Sequence, residues 1–201
     1  MLVFNRVVQS LEQVPFHIFD IALYDNGISY YHRFEACNPC NNSYSIAKVF
    51  VMTAIGMLVD DRCLSIHDRI CSLLKDYLPE HMDPAWQLVT VDHALTHRIG
   101  FREGFLDIDS EDVQAFPSDY LSFVFQRPLA YIPGEKYVYS DAAFYLLSRI
   151  ISEAAGVNVD RFLMERLFQP MKFREAAWSC CPKGYPIGAT GLYISTRDML
   201  K

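Results

Sequence analysis

The sequence predicts an α+β chain in which one N-terminal β-hairpin, within residues 1–40, precedes a mainly helical region over residues 41–201. Three observations carry this expectation. Two β-rich runs flank an Asn-Gly turn near the start, apolar stretches with helix start and stop signals fill the rest, and no later alternating run is long enough to declare a strand.

The hairpin comes from His17 to Tyr24 and Ile28 to Phe34, rich in β-branched and aromatic residues and separated by Asp25-Asn26-Gly27. A two-stranded sheet is marginal alone, and uncovered edges invite pairing, so self-association or a complementing chain is the expected kind of protein partner. After Asn41-Asn42-Ser43, a capping stretch, a helix is expected from Ser45 to about Val59. It is apolar on nearly every side and should therefore be buried. Leu64 to Leu78 reads as an amphipathic segment ended by Pro79, and Thr90 to Thr96 as a short helix leading to Gly100. Residues 103–117 form an acidic, turn-rich surface loop, followed by a short helix from Ser118 to Gln126 that Arg127-Pro128 stops. Pro133-Gly134 marks a tight turn. Helices over Asp141–Ala155 and Val159–Phe168 are separated by Gly156 and closed before Pro170. With no internal repeat and no low-complexity linker, residues 1–201 read as a single partial domain.

A hydrophobic share of 51% and a charged share of 21% allow a buried core and argue against disorder. A net charge of -6 offers no basic stripe for phosphates, which speaks against nucleic acid and against an anionic membrane surface as partners. The N-terminal residues show no basic segment, apolar core or small-residue cleavage site of a secretory signal. The apolar run Val49–Val59, interrupted by Thr53 and Gly56, is shorter than the roughly 18 residues a membrane span needs. A cytoplasmic protein with reduced thiols is the expectation. Cys37-Asn38-Pro39-Cys40 is a single C-x-x-C with no second pair at zinc spacing, so it reads as a turn containing two thiols. His93 and His97 are four apart, but no glutamate completes H-E-x-x-H. No metal or organic cofactor is implied.

The residues with chemical promise begin at Ser45-Ile46-Ala47-Lys48, which sets a hydroxyl at the first turn of a helix and an amine three residues on, along the same face. A serine hydroxyl needs a neighbouring group to take its proton, and a lysine at this spacing can do so or stabilise the charge that develops. The pattern is weak alone, since Ser72-Leu73-Leu74-Lys75 repeats it. Ser72, however, sits among Asp68, Arg69 and Asp76 on what reads as a solvated face, whereas Lys48 is an isolated charge leading an apolar run. Downstream, Pro133-Gly134-Glu135-Lys136-Tyr137-Val138-Tyr139-Ser140-Asp141 contains a Y-x-[ND] pattern at Tyr139 and Asp141, although Asp141 alone could be a helix cap. There is no G-x-S-x-G nucleophile elbow, and Cys180-Cys181 lacks an adjacent activating group.

Taken in order, Ser45-Ile46-Ala47-Lys48, Leu95-Thr96-His97-Arg98-Ile99-Gly100, Pro133 through Asp141, and Gly191-Leu192-Tyr193-Ile194-Ser195-Thr196-Arg197-Asp198 resemble the serine β-lactamase-related family. The likeness is to the branch of class C β-lactamases, D-alanyl-D-alanine carboxypeptidases and esterases, and it runs from about Asp20 to the last residue. It implies a β-lactamase/transpeptidase-like fold and a serine hydrolase that forms an acyl-enzyme on a small amide or ester substrate. Ser45 inherits the nucleophile's role, and Lys48 and Tyr139 share proton abstraction and delivery. Asp141 takes the substrate-contacting position usually held by asparagine, so an acceptor-only carboxylate replaces a neutral amide and should hold Lys48 charged. The resemblance also implies a C-terminally truncated relative. The family's K-T-G or H-x-G motif, its later strands and its C-terminal helix have no counterpart before Lys201, and losing one oxyanion donor typically costs about 100- to 1,000-fold in rate. The alternative is therefore a catalytically inactive relative acting as a binding module. β-Lactam, peptide and ester substrates all stay open.

Overall fold

The computed structural model describes residues 2–36, 38–109 and 111–201. The chain begins with α1 (Leu2–Leu11), whose Phe4 and Val8 lie one turn apart and are buried, the Phe4 ring 5.5 Å from that of Tyr30. No capping residue announces this helix in the sequence. It is held by its apolar stripe against the hairpin that follows.

β1 (Asp20–Asp25) and β2 (Ile28–Arg33) form that hairpin, antiparallel with Asp25 opposite Ile28. Asn26 and Gly27 occupy its turn, both at positive φ (48° and 84°), as a tight two-residue connection requires. A second sheet, absent from the sequence expectation, consists of β3 (Cys40–Asn42), β4 (Ala176–Trp178) and β5 (Leu192–Ser195) in the order β3-β5-β4. Both pairings are antiparallel, with Asn42 opposite Tyr193 and Trp178 opposite Leu192. Strands of three and four residues are too short for two-residue alternation to be visible, and their register is set by partners remote in sequence.

The remaining elements are helical: α2 (Ala47–Asp60), α3 (Ile70–Leu73), α4 (Val91–Leu95), α5 (Tyr120–Phe125), α6 (Asp141–Ala155), α7 (Val159–Leu163) and α8 (Thr196–Met199). The axis of the core is α6, buried at every position from Asp141 to Ser152 and closed by Gly156 in the left-handed region (φ 69°). α2, α4 and α7 pack on it. Beside them Trp86 is fully buried, with the Phe125 and Phe101 rings edge-on at 5.0 Å and 5.7 Å and its indole N–H donating to the Arg127 carbonyl.

Two further expectations need correction. The helix expected from Ser45 to Val59 is not buried all round: Ala47, Val51, Ala54, Ile55 and Leu58 of α2 face the core, but Val49 and Met52, with Ile46 in the turn before it, are exposed. An apolar periodicity shows which faces could be covered, and among the described residues nothing covers this one. The segment Leu64–Leu78 is likewise not one amphipathic helix but α3 plus a 3-10 turn over Lys75–Tyr77. Its leading backbone groups bond elsewhere: Asp68 accepts the Ser65 N–H at 2.8 Å, and the Ile66 and Asp68 carbonyls accept the Asp92 and Val91 N–H groups.

Two glycines should respond to alanine in opposite directions. Gly188 has φ +76°, and a Cβ there would lie 2.7 Å from both the Phe144 carbonyl oxygen and the Ser148 Cβ of α6. Gly188→Ala should cost about 2–4 kcal/mol of stability by urea unfolding. Gly56 is helical with nothing within 4 Å, so Gly56→Ala should gain up to about 1 kcal/mol.

Candidate active site

Ser45 lies in a 3-10 turn, Tyr44–Ile46, that runs directly into α2. The preceding residue, Tyr44, has φ 47°, an unfavourable conformation for a bulky side chain that the surroundings must impose. Asn42, at the end of β3, imposes it. Its Oδ1 accepts the N–H groups of Tyr44 at 2.9 Å and Gly191 at 3.2 Å, and its Nδ2 donates to Asp109 at 3.1 Å. Because Asn42 is itself paired to Tyr193, the second sheet fixes where the Ser45 turn begins.

One turn along, Lys48 is only 6% exposed, and its Nζ donates to Ser45 Oγ at 3.2 Å, Asp141 Oδ1 at 2.7 Å and the Ala189 carbonyl at 2.8 Å. An ammonium has three hydrogens and no acceptor, so these partners use its full capacity and satisfy a charge that burial would otherwise make costly. Asp141 is the first residue of α6 and equally buried. Burial raises the pKa of its carboxyl from the ordinary aspartate value. The Lys48 contact opposes that shift, and the Asp107 and Asp109 charges add to it.

Tyr139 completes the cluster: its Oη donates to Ser45 Oγ at 2.7 Å, and Lys48 Nζ stands 4.8 Å from its ring centroid. Tyr139 is 44% exposed and Ser45 is exposed, so the pair faces open solvent above a buried ion pair. Ser45, Lys48, Tyr139 and Asp141, contributed by the Ser45 turn, α2, an extended segment and α6, are thus brought into one connected group. Ser72 and Lys75 are both exposed on the molecule's surface.

Three contributors went unread in the sequence. The Ala189 carbonyl carries no side-chain signal. Asn42 was visible only as part of a capping stretch, and it does act as one, accepting the N–H two residues on. His97, which in the sequence belongs to the Leu95–Gly100 motif and pairs with His93 only as a poor metal-ligand spacing, lies buried under Tyr139 with ring centroids 4.5 Å apart. Burial and the Lys48 charge push its pKa down to about 4. Its neighbour His93 is occupied in a reciprocal cap of α4 with Thr90. Cys37 lies outside the described residues. Its partner Cys40 donates to Glu175 at 3.4 Å, and burial followed by that carboxylate pushes the thiol up to about 11, away from nucleophile behaviour. Among the described residues no group of three or more His, Cys, Asp or Glu side chains could hold a metal, and no helix is long and apolar enough to cross a membrane.

Comparison with known proteins gives this arrangement a context. A relative from Escherichia coli (strain K12), named provisionally as a D-alanyl-D-alanine carboxypeptidase, is 33% identical over 81 residues, covering 39% of this chain and 19% of the relative. The chain thus spans about a fifth of the length of that curated relative. A β-lactamase/D-alanine carboxypeptidase from Yersinia pestis, solved with citrate, superposes with a TM-score of 0.70 at 21% identity, over 90% of this chain and 61% of that one. A penicillin-binding protein from Bacillus halodurans gives 0.68 at 20% identity, over 90% and 67%. These structural likenesses show a shared β-lactamase/transpeptidase-like α+β fold. The β-lactamase family model matches residues 42–201, most of the chain and all four residues of the cluster, and the chain belongs to the β-lactamase family.

Proposed function

We propose that this chain is a serine hydrolase in which Ser45 is the nucleophile, acting through an acyl-enzyme on a small amide or ester. The observation that supports this most is that one exposed hydroxyl, Ser45 Oγ, lies within hydrogen-bond reach of both a buried ammonium and a tyrosine hydroxyl. Lys48 and Tyr139 are the two groups within reach of the Ser45 proton and share its abstraction and delivery: Tyr139, whose hydroxyl donates to Ser45 Oγ at rest, gives that proton to solvent before attack and then serves as the acceptor, with the Lys48 ammonium beside it favouring the anionic oxygen. As Ser45 Oγ bonds to the substrate carbonyl carbon, its proton passes to Tyr139 Oη. The tetrahedral intermediate then collapses, the bond to the leaving nitrogen or oxygen breaks, and that atom takes the proton from Tyr139. Water releases the acyl group by the same route in reverse. Lys48 supplies fixed positive charge beside the tyrosine ring throughout.

Asp141 is read here as the substrate-side residue that also tempers Lys48. A carboxylate accepts hydrogen bonds but cannot donate one to a substrate carbonyl, which favours substrates presenting N–H or O–H groups. The relative's name makes a peptide ending in D-alanine one candidate, with β-lactams and simple esters beside it. Residues 1–201 are taken as one partial domain of the family.

Intact-mass spectrometry after incubation with a fluorescent penicillin, and separately a fluorophosphonate, tests the proposal. A covalent adduct on the wild-type protein and on Ser72→Ala, lost in Ser45→Ala, is expected. Folded protein that neither probe labels would leave the inactive binding module as the reading. Tyr139→Phe, at a half-exposed position, should leave stability unchanged and lower the labelling rate by about 10²- to 10⁴-fold. Asp141→Asn should retain an acceptor for Lys48 while removing the opposing charge. Labelling should then become several-fold faster, and a slower rate would refute the tempering role given to Asp141.

A further inference from the structure

Tyr139 must hold its hydroxyl against Ser45, yet it lies on a segment that is neither helix nor strand and is open to solvent on one side. His97, from the turn after α4, meets this segment on both sides of Tyr139. The His97 carbonyl accepts the Val138 N–H at 2.8 Å, and its ring Nδ1 accepts the Ser140 N–H at 3.3 Å, so one residue bonds to the neighbours on both sides of Tyr139. The imidazole also backs the phenol ring at 4.5 Å, tilted by 34°, and is itself braced by Phe144 of α6 at 5.1 Å. His97 itself sits at φ 54° with its own N–H bonded to the Ala94 carbonyl, which ties it to the end of α4. Gly104 also crosses this segment so closely that a Cβ there would collide with the Tyr139 carbonyl oxygen.

We propose that His97 is the positioning residue for Tyr139, holding the backbone on either side of it and backing its ring so that the hydroxyl stays on Ser45. The role rests on the proposed hydrolase chemistry for its consequence, but not for its geometry. It requires the acceptor form of the imidazole, because a doubly protonated ring would turn an N–H toward the Ser140 N–H. The buried setting beside Lys48 keeps the ring in that form at neutral pH.

The variants separate acceptor from ring. His97→Asn keeps an acceptor near the Nδ1 position, His97→Phe keeps a ring without an acceptor, and His97→Ala keeps neither; the carbonyl bond to Val138 survives in all three. With unfolding curves used to select conditions where each is folded, kcat for turnover of a chromogenic ester or penicillin should fall about 10- to 100-fold in His97→Ala and His97→Phe. KM should move less than about threefold, and His97→Asn should recover most of the loss. Unchanged kcat in His97→Ala, or no recovery in His97→Asn, would overturn the proposal. A second measurement needs no activity. In protein carrying ring-13C tyrosine, the Tyr139 signal, assigned with Tyr139→Phe, should be single in the wild type and His97→Asn, and shifted or multiple in His97→Ala. A Tyr139 signal indifferent to His97→Ala would refute the clamp. If the clamp signature appears while neither probe labels Ser45, the hydrolase reading fails and the positioning role stands.

Discussion

A single ammonium, Lys48 Nζ, holds together three parts of the chain that are remote in sequence: the Ser45 turn, the first residue of α6 at Asp141, and the Ala189 carbonyl just before β5. Its burial makes these contacts obligatory, because a charge withdrawn from water without partners is far costlier than the same charge fully hydrogen-bonded. The geometry of the cluster follows. α2 must present Lys48 inward at its first turn, α6 must begin where it does, and the 187–191 segment must turn its backbone toward the lysine. Gly188, whose positive φ lets that segment press against α6, is part of the same constraint.

Around this ion pair the chain supplies two clamps, one for each exposed partner. Asn42 holds the strained Tyr44 that precedes Ser45 and ties it to β5 through Gly191. His97 holds both neighbours of Tyr139. Neither side chain bonds to Ser45 Oγ, but each sets the direction from which a group approaches it. The Ser45–Tyr139 contact on an open surface therefore rests on buried or sheet-anchored residues behind it, which is how a solvent-facing pair can keep a short contact without being enclosed.

The features readable in the sequence were those with local causes. Ser45 and Lys48 share a helix face because three residues make nearly one turn, and α6 could be bounded from Asp141 to Gly156 by its stop signal. The hairpin was readable from Asn26-Gly27, and the order of short motifs carried the family. What escaped has non-local causes. β3, β4 and β5 exist because their partners arrive from distant parts of the chain. The Leu95–Gly100 motif and the spacing of four from His93 place His97 in the sequence but not against its partners, because its contacts come from residues 138–144, which sequence spacing does not bring near. α2 was expected to be buried throughout because composition records how apolar a face is, not whether another element reaches it.

A crystal structure of the fluorophosphonate-treated protein tests the central claim most directly. The account predicts phosphorus bonded to Ser45 Oγ, Tyr139 Oη within about 3.2 Å of that oxygen or of a phosphonate oxygen, and Lys48 Nζ still held by Asp141 and the Ala189 carbonyl. An adduct on another side chain, or a Lys48 swung out into solvent with Asp141 unpaired, would contradict it.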